Sequence, residues 1–249
     1  MTKQSYVIAV LLVIIALLAI KKFYGPLRIG ISKHYIQQEA AGTPIKRDYQ
    51  IEPFDKLTLR VPAHITIQQA DHEALSITAP AEIINHITAT IKNQKLIIKC
   101  TPKIDHVKDV TINLTSKNIN KIKVNTTAKI DMPNFVAGTL KIKLNGAITL
   151  NLHLQAEKLS IESSGSSSIQ LAGTVKEQEI KIKGANDYQA MQLESKKTSI
   201  EVDGSASVEI YATEKLSIHA DGSISIGYKG QPSIERDIKG AGNLYQISA

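Results

Sequence analysis

The sequence predicts an all-β fold, a parallel β-helix wound from short strands and preceded by a transmembrane helix, and three observations predict it. A seven-residue phrase recurs through the second half of the chain. Copies read LKIKLNG from Leu140, LSIESSG from Leu159, IKIKGAN from Ile180, TSIEVDG from Thr198, LSIHADG from Leu216 and RDIKGAG from Arg236, after a degenerate NKIKVNT at Asn120. Their starts lie 20, 19, 21, 18, 18 and 20 residues apart, and a short β-type period of that kind marks a stack in which each repeat covers its neighbour's open edge. Second, 43% of the chain is hydrophobic but only 4% aromatic, with no tryptophan, so Ile, Leu, Val and Ala must fill a thin core between strands. Third, VIAVLLVIIALLAI from Val7 to Ile20 is an unbroken apolar run.

That run is the first element. Its 14 residues are bounded by Lys3 and by Lys21 and Lys22. As a helix it rises roughly 21 Å, short of a hydrocarbon core of about 30 Å unless flanking aromatics and snorkelling lysines complete the span. Leu17 and Ala19 make a poor signal-cleavage site and no cysteine follows for lipid attachment, so residues 1–24 read as an anchor or uncleaved signal, favoured over a cleaved one. Lys21, Lys22, Arg28 and Lys33 follow the run, and a positive-inside count would leave the remainder in the cytoplasm. Residues 25–48, broken by Gly25-Pro26, Gly42 and Pro44, read as a linker, and 49–249 as the β domain.

Within that domain KLTLRV, HITIQQ, ALSITA, ITATIKN, KLIIKC and VTINLT alternate with period two. They are less regular than the repeats of the second half, as at a capping end. AEIINH from Ala81 has room for one helical turn. In the repeats, the third position is Ile142, Ile161, Ile182, Ile200, Ile218 and Ile238. Parallel stacking at about 4.8 Å would make these one apolar ladder, each Ile contributing roughly 1.5–3 kcal/mol. The fourth position, Lys143, Glu162, Lys183, Glu201, His219 and Lys239, faces the other way with largely alternating sign. The seventh, Gly146, Gly165, Asn186, Gly204, Gly222 and Gly242, supplies corners tolerant of positive φ.

FDKLTLRVPAHITIQQAD from Phe54, then KLIIKC, VTINLT and the recurring strand, glycine corner and strand, resemble the auto-transporter adhesin, head GIN domain family across roughly Tyr49 to Ile247. The resemblance implies a right-handed parallel β-helix with levels of about 18–21 residues, secreted or held at the bacterial envelope, with no catalytic residues to carry over.

Composition and motifs exclude much chemistry. The formal charge is +7, and Lys92 to Lys129 holds nine lysines, no arginine and only Asp105 and Asp109. Without guanidinium forks or stacking aromatics, nucleic acid is not an expected partner; the lysines read as solvated outer-face residues that also guard sheet edges. Cys100 has no partner for a disulfide within the chain and reads as a buried structural thiol. His34, His64, His72, His86, His106, His153 and His219 share no metal-ligand spacing. His219 reads as a surface residue tuned by Glu201, SSGSSS from Ser163 as a polar turn, and Asp203 and Asp221 as turn residues rather than a carboxylate pair. Hence no catalytic, cofactor or metal residues are assigned, no cofactor is expected, and ligand-binding residues stay open.

Three functions compete. A membrane-anchored, non-enzymatic envelope domain at the periplasmic or extracellular face, binding protein or glycan through repetitive faces, ranks first. A scaffold whose uncapped ends stack ranks second. A polysaccharide-active enzyme ranks last, because the repeats are tight and only Arg60 and Arg236 occur from Tyr49 onward. Oligomeric state is left open.

Overall fold

The computed structural model describes residues 43–101 and 109–248. Ten strands account for nearly all of them: β1 (Pro44–Tyr49), β2 (Lys56–Arg60), β3 (Ala63–Gln69), β4 (Ala74–Pro80), β5 (Ile87–Lys92), β6 (Lys95–Cys100), β7 (Thr111–Ser116), β8 (Lys121–Val124), the long winding β9 (Ala128–Lys229) and β10 (Ser233–Gln246). One helical turn, Ala81–Ile84, follows Pro80 and buries Ile83 and Ile84. The sheet begins at Pro44, inside the segment that composition assigns to a linker.

The architecture corrects the expected fold. It is all-β, but one mixed ten-stranded sheet curled into a nearly closed barrel, in the order β1-β4-β7-β3-β9-β8-β2-β6-β5 with β10 on β9, and not a right-handed parallel β-helix. Three pairings are antiparallel, β1 with β4, β4 with β7 and β5 with β6. The early strands β2 and β3 sit between β6 and β8 and between β7 and β9, so chain order and spatial order part company. The physical reason lies in the turns. Asn93 and Gln94 hold φ of 51° and 57°, the two left-handed residues of a tight hairpin, and they fold β5 straight back onto β6. Among the described residues no helix is long and apolar enough to cross a membrane; the Val7 to Ile20 run lies outside them.

From β8 through β9 to β10, recurring segments stack in parallel, level over level. Ile122 pairs with Ile142 and Val124 with Leu144. Further along, the glycines fix the register: a Cβ placed on Gly184 would stand 2.6 Å from the Gly165 carbonyl oxygen, and one on Gly204 2.7 Å from that of Gly184. With Gly184 φ at +108°, the corner admits no side chain. Gly222 sits against Gly204, and Gly240 pairs with Gly222.

This register moves two of the repeat copies by two residues. Gly184, not Asn186, is the third corner, so the inward Ile column runs Ile142, Ile161, Ile180, Ile200, Ile218; Ile182 belongs to the next inward column, with Leu144 and Val202. In the last level Arg236, not Ile238, pairs with Ile218, and Ile238 pairs with Ala220. The five isoleucines are at most 2% exposed, and they belong to one apolar core that runs from Phe54 to Ile226.

Candidate functional site

The outward column beside the Ile column is ionic, and its corrected members are Lys143, Glu162, Lys181, Glu201, His219 and Asp237. Lys143 pairs with Glu162, Lys181 with Glu201 at 2.9 Å, and His219 Nδ1 lies 3.1 Å from Asp237. Lys183 and Lys239, expected in this column, fall one outward position further on. The hydrogen bond from Lys143 holds the Glu162 carboxyl below its ordinary range, and that from Lys181 does the same for Glu201. Lys181 is raised in return, chiefly by its hydrogen bond to Glu201. Such exposed pairs order side chains more than they stabilise the fold.

A face of different character lies beyond the glycine corners. One outward column reads Ser76, Asn113, Thr66 and Asp131 in direct pairing, and continues through Asn151, Gln170 and Gln189. It contains no lysine or arginine. Asp131 is its most organised point. Its Oδ1 accepts from Asn151 Nδ2 at 2.6 Å, its Oδ2 lies 2.5 Å from His64 Nε2, and Lys129 Nζ stands 3.8 Å away. Burial pushes this carboxyl up, but the hydrogen bonds from Asn151 and His64 and the Lys129 charge outweigh it and leave it below the ordinary value. His153 Nδ1 lies 2.7 Å from Asn134 Oδ1 at the edge.

Two hollows mark this face. The larger, about 1140 Å³, follows the corners from Pro62 to Ala241 over a floor of small residues that includes Ala147, Ser166, Ala185 and Ser205. Its eight levels span roughly 34 Å at about 4.8 Å per pairing. The smaller, about 530 Å³, is lined by Asp131, Asn151, His153, Gln170, Gln189 and Met191. The geometry offers hydrogen-bond donors and acceptors at regular intervals along an extended path. It offers no nucleophile with an adjacent base.

Residues singled out in the sequence are spread apart. Cys100 is a buried free thiol whose pKa burial raises. Asp203 and Asp221 are exposed on neighbouring levels, and among the described residues no group of three or more His, Cys, Asp or Glu could hold a metal ion. The serine cluster flanks the Gly165 corner, and part of it turns inward. Ser163 and Ser167 are buried, with Ser163 Oγ donating to Asn186 Oδ1 at 2.5 Å. A second interior network joins Gln178 Nε2 to Tyr188 Oη at 2.8 Å and Ser195 Oγ to the Tyr211 carbonyl at 2.8 Å. Burial raises the Tyr188 hydroxyl far out of reach of ordinary titration. The His64–Asp131 pair escaped sequence reasoning because 67 residues separate its members; the Asp131–Asn151 spacing of 20 was the one signal that pointed to it.

Comparisons with known proteins identify the fold and the family. No curated protein matches the chain in sequence. A crystal structure of a "putative adhesin" from Bacteroides fragilis superposes with a TM-score of 0.79 at 24% identity, covering 84% of this chain and 99% of that one. One from Parabacteroides merdae, also a "putative adhesin", gives 0.66 at 17% identity over 84% and 98%. A "putative lipid binding protein" from Parabacteroides distasonis gives 0.68 at 19% over the same shares. At these identities the likeness shows a shared fold. Residues 53–232 match the family model described as "Putative auto-transporter adhesin, head GIN domain", and the chain belongs to that family.

Proposed function

We propose that the protein is a non-enzymatic binding module of the adhesin type, held at the cell envelope, that takes an extended protein segment or glycan along the face rich in amide and hydroxyl side chains. One observation carries this reading: amide and hydroxyl side chains recur level by level past two hollows, without a reactive constellation beside them. Regularly spaced donors and acceptors suit a ligand that itself repeats. Family membership and the adhesin-labelled neighbours support the class. The apolar run from Val7 to Ile20 supports tethering at a membrane, and family membership, against the positive-inside count, supports the periplasmic or extracellular side for the β domain.

Two experiments test it. Protease should reach the domain in intact cells or in spheroplasts; protection in both would place it in the cytoplasm and end the envelope reading. Glycan and envelope-protein arrays should give binding without depolymerisation, and unsaturated sugar ends among the products would make it an enzyme instead.

A second reading, a scaffold built by end-to-end stacking, has one observation in its favour. The 14-residue strand β10 pairs with β9 on one side only, and Ile234 and Tyr245 there are each 39% exposed. Arg236 in the inward column opposes it, since stacking would bury that charge.

A further inference from the structure

The ionic column above is balanced over much of its length, but a neighbouring outward column is not. Lys92 of β5 pairs directly with Lys95 of β6, Lys95 with Lys56 of β2, Lys56 with Lys121 of β8, and Lys121 with Lys141 of β9. Five lysines thus stand on five successive strands, a row of roughly 19 Å along the sheet surface at about 4.8 Å per strand. Of these five, only Lys56 forms an ion pair among the described residues, with Asp55 at 3.3 Å, while Lys141 acts on Glu162 through its charge alone. Lys123 and Lys143 are paired alongside, as are Arg60 and Lys99.

Like charges directly opposite one another destabilise a sheet. Edge protection does not explain the line, because β6, β2, β8 and β9 each have a strand on both sides. We propose that this lysine line is a binding site for a linear polyanionic glycan, one bearing carboxylate, sulfate or phosphate groups along its length, lying across the strands. The site is on a different set of side chains from the face rich in amide and hydroxyl groups, and it does not depend on what the hollows take.

The chemistry selects among polyanions. Lysine presents a hydrated point charge on a flexible stem, suited to diffuse recognition of repeated anions rather than forked reading of one group. Single-stranded nucleic acid calls for stacking aromatics between the cations, and none of the paired residues in this patch is aromatic. A membrane surface calls for apolar side chains that enter the headgroup layer, and the exposed large apolar residues, Ile45, Val136, Ile234 and Tyr245, are not members of the patch.

The test uses the full-length chain in a neutral detergent, with polygalacturonate and heparin as probes, neutral dextran as control, and binding followed by calorimetry across a salt series. The triple variant K95Q/K121Q/K141Q should lose about tenfold in affinity and show a shallower salt dependence, while melting no lower than the parent because repulsion is relieved. K158Q/K196Q/K215Q removes the same net charge from lysines that already have glutamate partners and should bind as the parent does. Equal loss in both triples would reduce the effect to net charge and overturn the site, as would no binding of either polyanion at low salt. Single-stranded DNA or phosphatidylglycerol vesicles binding as tightly, with the same dependence on these three lysines, would overturn the glycan assignment.

Discussion

Replacing Gly184 with alanine interrogates the stacked corners directly. At φ of +108° an L side chain is strained, at a cost of roughly 1–2 kcal/mol. The new Cβ would also stand 2.6 Å from a backbone oxygen of Gly165, which cannot rotate away as a side chain would. Relieving such an overlap costs about 1–3 kcal/mol more. The sum, roughly 2–5 kcal/mol, lowers the melting temperature by about 4–20 °C for a domain of this size. Gly138 provides the comparison, because nothing lies within 4 Å of a Cβ there; alanine at that position should hold or slightly raise stability through the unfolded chain. With no tryptophan to report on unfolding, scanning calorimetry is the suitable assay. Equal shifts in the two variants would refute the corner register, and with it the columns derived from it.

Ile200 is 1% exposed and Glu201 next to it faces outward, so Ile200→Asp should cost roughly 4 kcal/mol or abolish folding while Glu201→Gln changes stability little; similar denaturation midpoints would contradict the assigned facing. Glu162 and Glu201 have folded-state pKa values below their unfolded ones. Their contribution is therefore present above the ordinary carboxylate range and lost as pH falls through the depressed folded values. The difference in melting temperature between the parent and Glu162→Gln/Glu201→Gln should be largest near neutral pH and shrink on acidification as the two carboxyls protonate; a difference independent of pH would show that the pairing contributes nothing.

How far the sequence carries depends on whether a feature is local. Period-two alternation made the strands readable, and the recurrence near 19 residues made the inward isoleucines readable. Frame was harder. In IKIKGAN both Ile180 and Ile182 are buried, so burial cannot choose between them, and only the Gly184–Gly165 approach does. The last copy misleads for a different reason: Arg236 occupies a position where pattern demands Ile, and shifting the frame to Ile238 hides the exception. The antiparallel portion was out of reach because its decisive turn uses Asn93-Gln94 rather than the Asn-Gly pair that signals a hairpin. Nor could alternation reveal that β2 and β3 insert between later strands, or that five lysines from β2, β5, β6, β8 and β9 align. The face rich in amide and hydroxyl groups was equally hidden, since its members fall in stretches that read individually as ordinary solvent-facing strand positions.

Arg236 gives the exception a physical purpose. The antiparallel strands β4 and β5 pair beside β7 and β6, with β1 beyond β4, whereas among the described strands β10 pairs with β9 alone. An edge of that length invites another strand. On β10 the inward columns carry Ile234, Arg236 and Ile238 below Leu216, Ile218 and Ala220. A second copy laid on this edge would gain backbone hydrogen bonds and apolar contact from the two isoleucines, but it would enclose a guanidinium, and among the inward residues of β10 there is no carboxylate to meet it. Burying an unpaired charge costs several kcal/mol, enough to cancel the gain. The parent chain should therefore sediment as a monomer, and Arg236→Ile, which restores the column, should self-associate with rising concentration. If the parent already associates and Arg236→Ile does so no more strongly, the arginine is no barrier, and the scaffold reading moves ahead of the binding module.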